Sequence, residues 1–269
     1  MKNVQKFVPY WRFTPKVITN NTRTNNKLLV YFTAIIVMFL CWEFLALLLH
    51  NPALPRPVPA LIAFVHVFPQ GLGKHFLVST YRVLVSLLLG LALAVPLGLY
   101  IGREPKLDQW LSPQLYLIYP IPKIALLPVI FAIFKIGDLS KIILIVLIIF
   151  FQILVTTRDA ARKIPANTIF SVLSLGAAPR EIYRHVIIPG CLPEIFTAVR
   201  ISLGTAISVL FFAESFATFE GLGYFIFETW SRVNYPEMFA GIIAISLQGF
   251  ILFLLVDFVQ RLICPWLYT

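Results

Sequence analysis

Long uncharged runs broken by short clusters of Lys, Arg and Pro set the rhythm of this chain. Val83–Gly102 runs 20 residues without a charge, Met238–Val256 runs 19, and Ile142–Thr157 runs 16. A helix needs about 20 apolar residues to cross a bilayer core, so the first two suffice alone. The third suffices with Lys141 and Arg158 snorkelling from its ends. The pattern predicts six membrane helices, at about 28–50, 80–102, 112–135, 140–157, 191–214 and 237–260. Between the first two, four prolines from Pro52 to Pro59 impose an extended stretch, since each removes a donor and fixes φ. Ala60–Phe68 then reads as a short helix lying on the outer membrane surface.

Composition names the solvent. The chain is 59% hydrophobic and 13% charged, about half the charge of an ordinary soluble domain, with a mean hydropathy of +0.86. A net charge of +10 would suit a nucleic-acid binder, but its placement follows the membrane instead. Residues 1–27 hold six basic residues and no acid, which predicts a basic cytoplasmic tail ahead of a membrane domain over 28–269. The segments 1–27, 103–111, 158–190 and 261–269 carry 14 of the 22 basic residues. The opposite segments carry five: Arg56, Lys74, Lys135, Lys141 and Arg232. By the positive-inside rule both termini are expected in the cytoplasm, with no nucleic acid among the partners. The apolar segment Leu28–His50 is too long for a signal peptide and lacks a small-residue cleavage site.

Catalytic chemistry is not legible here. His50, His66, His75 and His185 are scattered outside any H-E-x-x-H, and there is no G-x-S-x-G. "GLGKH" at 71–75 lacks the phosphate-loop frame, so any ATP hydrolysis belongs to another chain. Cys41, Cys191 and Cys264 form no C-x-x-C and read as packing residues. No enzyme activity, cofactor or metal is expected in this chain.

One stretch is polar and heavily punctuated, about 165–190. After Pro165 and Asn167, the residues Ile169, Phe170, Val172 and Leu173 form one apolar helical face, and Gly176 stops the helix with φ > 0. Pro179 opens a second helix with Glu181 in its first turn, where Ile182/Val186 and Tyr183/Ile187 repeat at helical spacing. Pro189 and Pro193 are expected to close it. Two roles are open for such a hairpin: a cap on the bundle, or a docking knob for a partner.

At "LGAAPREIYRHVIIPGCLP" the residues resemble the EAA loop of ABC-importer permease subunits. "YPIPKIALLPVIFAIFKIGDLSK" (119–141), "AVRISLG" (198–204), "AESFATFEGLGYFI" (213–226) and "FAGI" (239–242) look like the nitrate, sulfonate, taurine and bicarbonate branch. The resemblance covers roughly 52–265. It implies an all-α polytopic fold of six membrane helices with a type I permease core in the cell membrane. It also implies an ATPase subunit, an extracytoplasmic solute-binding protein and a second permease copy as partners. The short helix at Phe170–Leu175 would sit in a groove of the ATPase, with Phe170, Leu173, Leu175, Gly176, Ala177, Arg180 and Glu181 as coupling residues. Where the family usually has the Glu of E-A-A, this chain has Phe170.

Within the membrane, Pro120 and Pro122 break the third span, which is tolerated only against protein or a water-filled cavity. Lys123 and Arg200 are candidate cations for an anionic solute. Snorkelling competes for Lys123, and pairing with Asp159 or Glu194 competes for Arg200. Glu214 is a gate-side hydrogen bonder or a helix cap, and Gln248 lines a path or joins two helices. A secondary transporter or a membrane scaffold are the alternatives. The first calls for inverted repeats and a carboxylate–cation relay, which are not evident, and the second leaves the broken third span unexplained.

Overall fold

The computed structural model describes residues 23–216 and 218–268, and all regular structure among them is helical. Most of the expected basic tail, residues 1–22, lies outside the described residues. The chain divides into two units at His50. The first contains α1 (Arg23–Leu49), 27 residues carrying apolar side chains such as Phe32, Phe44 and Leu48 on its surface.

The second unit is built on three long helices: α3 (Gly73–Arg103), α6 (Asp138–Lys163) and α9 (Ile188–Glu214). Before them runs α2 (Pro57–Val67), joined to α3 through a kink over Phe68–Leu72, where Gly71 leaves the helical conformation. Leu144, Ile145, Ile149 and Ile153 of α6 are fully buried and meet Val83, Leu87 and Ala94 of α3 with Leu203, Ala206 and Leu210 of α9. Lipid offers no hydrophobic drive for helix pairing, so close approach of small residues supplies the packing. At Gly102 a Cβ would stand 2.4 Å from the Arg158 carbonyl oxygen, and at Gly98 2.8 Å from Thr157 Cβ. A smaller core joins Val67 and Leu72 to Leu222 and Phe225 of α10 (Leu222–Ser231) and to Ala240 and Ala244 of α11 (Tyr235–Ile263).

Five helical stretches are long and apolar enough to cross a membrane, and a sixth arises if α4 (Pro105–Ile118) and the segment Lys123–Phe134, which ends in α5 (Leu127–Phe134), count as one span bent by 75°. The bend falls at Tyr119–Pro122, where two prolines stand in sequence. Several boundaries differ from the sequence reading. Helix α4 begins at Pro105 inside a stretch expected to be a loop, and α10 was not foreseen at all. Pro189 and Pro193 do not end the hairpin's second helix. Helix α8 (Pro179–Ile182) continues through a π turn over Tyr183–Ile187 directly into α9. In that turn Ile188 N–H donates to Tyr183 O, five residues back, and the wider register gives the Pro189 ring room that an α turn denies it.

Candidate functional site

The hairpin keeps the local geometry its residues specify. Helix α7 (Ala166–Leu173) ends with Gly176 N–H donating to Leu173 O at 2.9 Å and Ala177 N–H to Val172 O at 3.4 Å. This is a Schellman closure, and it places Gly176 at φ +85°. Pro179 then opens α8, and Glu181 Oε2 accepts the Ala178 N–H at 2.8 Å. Glu181 therefore caps its own helix, a local role that a negative side chain in a first turn favours.

The apolar face read from the sequence splits in two. Ile169, Val172 and Ala177 pack against the main core, and Ile182 and Ile187 are buried with it. Phe170, Leu173 and Leu175 face outward, 62%, 43% and 86% exposed. Of the expected coupling residues, Ala177 packs against the core, and Gly176, Arg180 and Glu181 are exposed. Behind the hairpin, buried Arg158 donates to Asp159 Oδ1 at 2.8 Å and to Ser112 at 3.3 Å, while Arg162 reaches Asp108 Oδ2 at 3.2 Å. The bonds to Ser112 and Asp108 tie the end of α6 to α4.

At the break in the third span, Lys123 Nζ donates to the carbonyls of Ile118 at 3.1 Å and Tyr119 at 3.0 Å, and stands 3.4 Å from that of Ile121. It also lies 4.8 Å from the Phe151 ring centre. A cation on the last carbonyls of α4 satisfies groups that the proline break leaves without partners. Lys123 is thus hydrogen-bonded to neutral carbonyls and has no ion-pair partner among the described residues. It lines a cavity of about 290 Å³ with Tyr119, Ile121, Ile124, Ile148, Gln152 and Val209.

The other candidate path residues lie elsewhere. Among the described residues Arg200 pairs with Asp257 at 2.7 Å and with Gln260, not with Asp159 or Glu194. Asp159 is taken by its neighbour Arg158, and α11 brings Asp257 alongside α9. Gln248 is buried and donates to Thr80 Oγ1 at 3.1 Å, joining α11 to α3. Pro120 and Pro122 shape the break without lining the cavity.

Glu214 sits at the opposite ends of α6 and α9 from the hairpin, in a knot that the sequence reading missed. Its carboxylate accepts Arg82 Nη1 at 2.6 Å, Ser79 Oγ at 2.8 Å and Gly223 N–H at 3.0 Å. Through the Gly223 N–H the Glu214 carboxylate reaches the first turn of α10 rather than the end of its own helix. Arg82 also donates from Nε to Asp138 Oδ1 at 2.8 Å and from Nη1 to Glu220 O at 2.9 Å. At Gly221, φ +119°, a Cβ would fall 2.2 Å from Glu214 Cδ, so the carboxylate occupies space that only glycine leaves. On the rim, a hydrogen bond from Lys74 at 2.6 Å holds the Glu220 carboxyl below the usual carboxylate range. One signal was available: Arg82, Asp138 and Glu214 are charges at corresponding ends of three predicted spans.

The family described as the binding-protein-dependent transport system inner membrane component matches residues 94–267. The taurine transport system permease protein TauC of Escherichia coli K12 is 32% identical over 241 residues, 87% of this chain and 88% of that protein. The nitrate import permease protein NrtB of Synechococcus elongatus is 25% identical over 253 residues, 88% of this chain and 90% of that protein. A chain of the inward-facing MetNI methionine ABC transporter shares the fold, with a TM-score of 0.63 at 22% identity over 73% of this chain and 97% of that one. Components of this family carry no cofactor and no catalytic activity of their own, and work with an ATPase and a binding protein. The chain belongs to the inner membrane components of binding-protein-dependent transport systems, as a multi-pass permease of an ABC importer.

Proposed function

We propose that this permease, paired with a second copy of itself, forms an import path for a small anion and takes its drive from an ATPase docked on the 165–190 hairpin. Both termini and the hairpin stand in the cytoplasm, where the basic residues concentrate. The observation that carries the docking role is the outward trio Phe170, Leu173 and Leu175 on a hairpin whose other face is packed. Three large apolar side chains on a polar, water-facing knob fit a hydrophobic socket. Phe170 in place of an acid makes that socket more apolar than the family pattern implies.

Lys123, which has no acidic partner among the described residues, supplies the positive potential of the path, with the Pro120–Pro122 break opening room for the solute, while Asp257 offsets the charge of Arg200. Taurine and nitrate, the solutes in the names of the two relatives, both present oxyanion oxygens to such a field. Exchange of Leu175 for Asp tests the docking role. It should abolish copurification of the ATPase from detergent extracts while the permease elutes as a single folded species. Retention of the ATPase at the unmodified ratio would contradict it.

A further inference from the structure

Helix α4 carries the break in the third span, yet little of it is packed. Of its 14 residues only Asp108 and Leu115 are buried. Glu104 alone separates it from α3, extended at φ −110° and ψ 97°. Pro105 keeps that residue extended but leaves its φ a range of about ±40°, so the angle of α4 depends on its side contacts. Above its base the seam with α6 is open, with a void of about 130 Å³ among Leu115, Tyr116, Tyr119, Val155 and Arg158.

At the base the seam is closed by charge. Asp108 Oδ1 accepts from Ser112 Oγ at 3.0 Å, and Oδ2 accepts from Arg162 Nη1 at 3.2 Å. Arg158 Nε lies 3.6 Å from Oδ1, and Arg158 Nη1 donates to Ser112 Oγ at 3.3 Å. Two arginines four residues apart on α6 thus grip a carboxylate and a hydroxyl four residues apart on α4. Helix α6 is in turn packed hard on α3 at Gly98 and Gly102, and only Ile164 and Pro165 separate it from α7 of the hairpin.

We infer that Asp108 is a positioning residue for import, the contact that makes α4 and its Pro120–Pro122 break follow the hairpin. The inference rests on the hairpin being the seat of the ATPase. A turn of the hairpin passes through Ile164 and Pro165 to the end of α6, and the paired arginines hand it to Asp108. Helix α4 then swings at Glu104 and carries with it Tyr119, whose carbonyl holds Lys123 across the break. Exchange of Asp108 strands no buried charge, because Arg158 keeps Asp159 and the Arg162 side chain is 67% exposed. Loss of the clamp therefore frees α4 without unfolding the bundle.

The test is the distance between spin labels at Gln114 of α4 and Asn167 of α7, read by double electron–electron resonance on the purified permease–ATPase complex. Both positions are exposed, and exchange of the exposed Cys41 for Ser leaves only the buried Cys191 and Cys264. With Asp108 in place the distance should be single, and the same without nucleotide as after trapping with ATP and vanadate. Asp108→Ala should keep the nucleotide-free distance but add a second, separate one on trapping. Arg162→Gln should do the same in a smaller fraction, and Asp108→Glu should restore the single distance. A role in folding alone would broaden the distance in both states. That broadening, an Asp108→Ala distance unchanged by trapping, or a distance that shifts on trapping with Asp108 in place would overturn the inference. Copurification of the ATPase with Leu175→Asp separately shows whether the docking role itself survives.

Discussion

Arg82 and Glu214 stand 132 residues apart in the chain and 2.6 Å apart in the fold, with side chains 3% and 0% exposed. Their contact fastens α3 to α9, and through Asp138 and Gly223 also to α6 and α10. Taking two charges from water is costly, and the returns here are the Ser79, Gly223 and Asp138 bonds that satisfy the remaining lone pairs and protons. The end of the bundle remote from the hairpin is therefore cross-linked over four helices.

Removing one partner of that pair leaves the other charge buried. Glu214→Ala should destabilise the purified permease by about 3–5 kcal/mol, read from thermal or denaturant unfolding in detergent. The double exchange Arg82→Met with Glu214→Leu should recover only part of the loss, because the Gly223 N–H and Asp138 lose their partners with the pair. A Glu214→Ala variant as stable as the parent would show that the pair contributes nothing.

Topology is open to a simple labelling experiment. A single cysteine at Gln70 should react with an impermeant maleimide added outside intact cells, and one at Asn167 should react only after permeabilisation. Asn167 labelled from outside would reverse the assigned orientation.

The two membrane cations are expected to differ in kind. Lys123→Gln keeps donors for the α4 carbonyls but removes the charge, so transport of the cognate anion should fall about ten-fold with the complex still assembled. Arg200→Gln strands Asp257, and the added exchange Asp257→Asn should restore assembly but not the full rate. Unchanged transport in both Lys123→Gln and Arg200→Gln would make both charges structural.

Val233, in the turn between α10 and α11, holds φ +60°, a conformation strained for a β-branched residue. Val233→Gly should raise unfolding stability by about 1 kcal/mol. A fall in the unfolding midpoint would mean that the side chain contributes more than the strain costs.

Local chemistry was legible in the sequence and distant chemistry was not. The spans follow from uncharged runs, and Gly176 and Pro179 mark the hairpin because each acts on its own backbone. The break at Pro120–Pro122 was visible for the same reason. The Pro189 rule misled because it assumes an α register, and a π turn supplies the room instead. Arg200's partner was missed because Asp257 comes from another helix, 57 residues away. The Arg82 knot was missed because only the fold brings α3, α6, α9 and α10 together.

A hairpin that carries force between ATPase and membrane, as proposed above, requires its turn angle to be fixed at Gly176. No atom lies within 4 Å of a Cβ built there, so a side chain meets open space and only the backbone conformation is at stake. The decisive measurement is solute-stimulated ATP hydrolysis by the complex reconstituted with Gly176→Asn or Gly176→Val. Asparagine tolerates this conformation and should retain most of the stimulation, whereas valine should abolish it while the permease stays folded and inserted. Full stimulation in Gly176→Val would contradict the account and leave the hairpin a cap on the bundle.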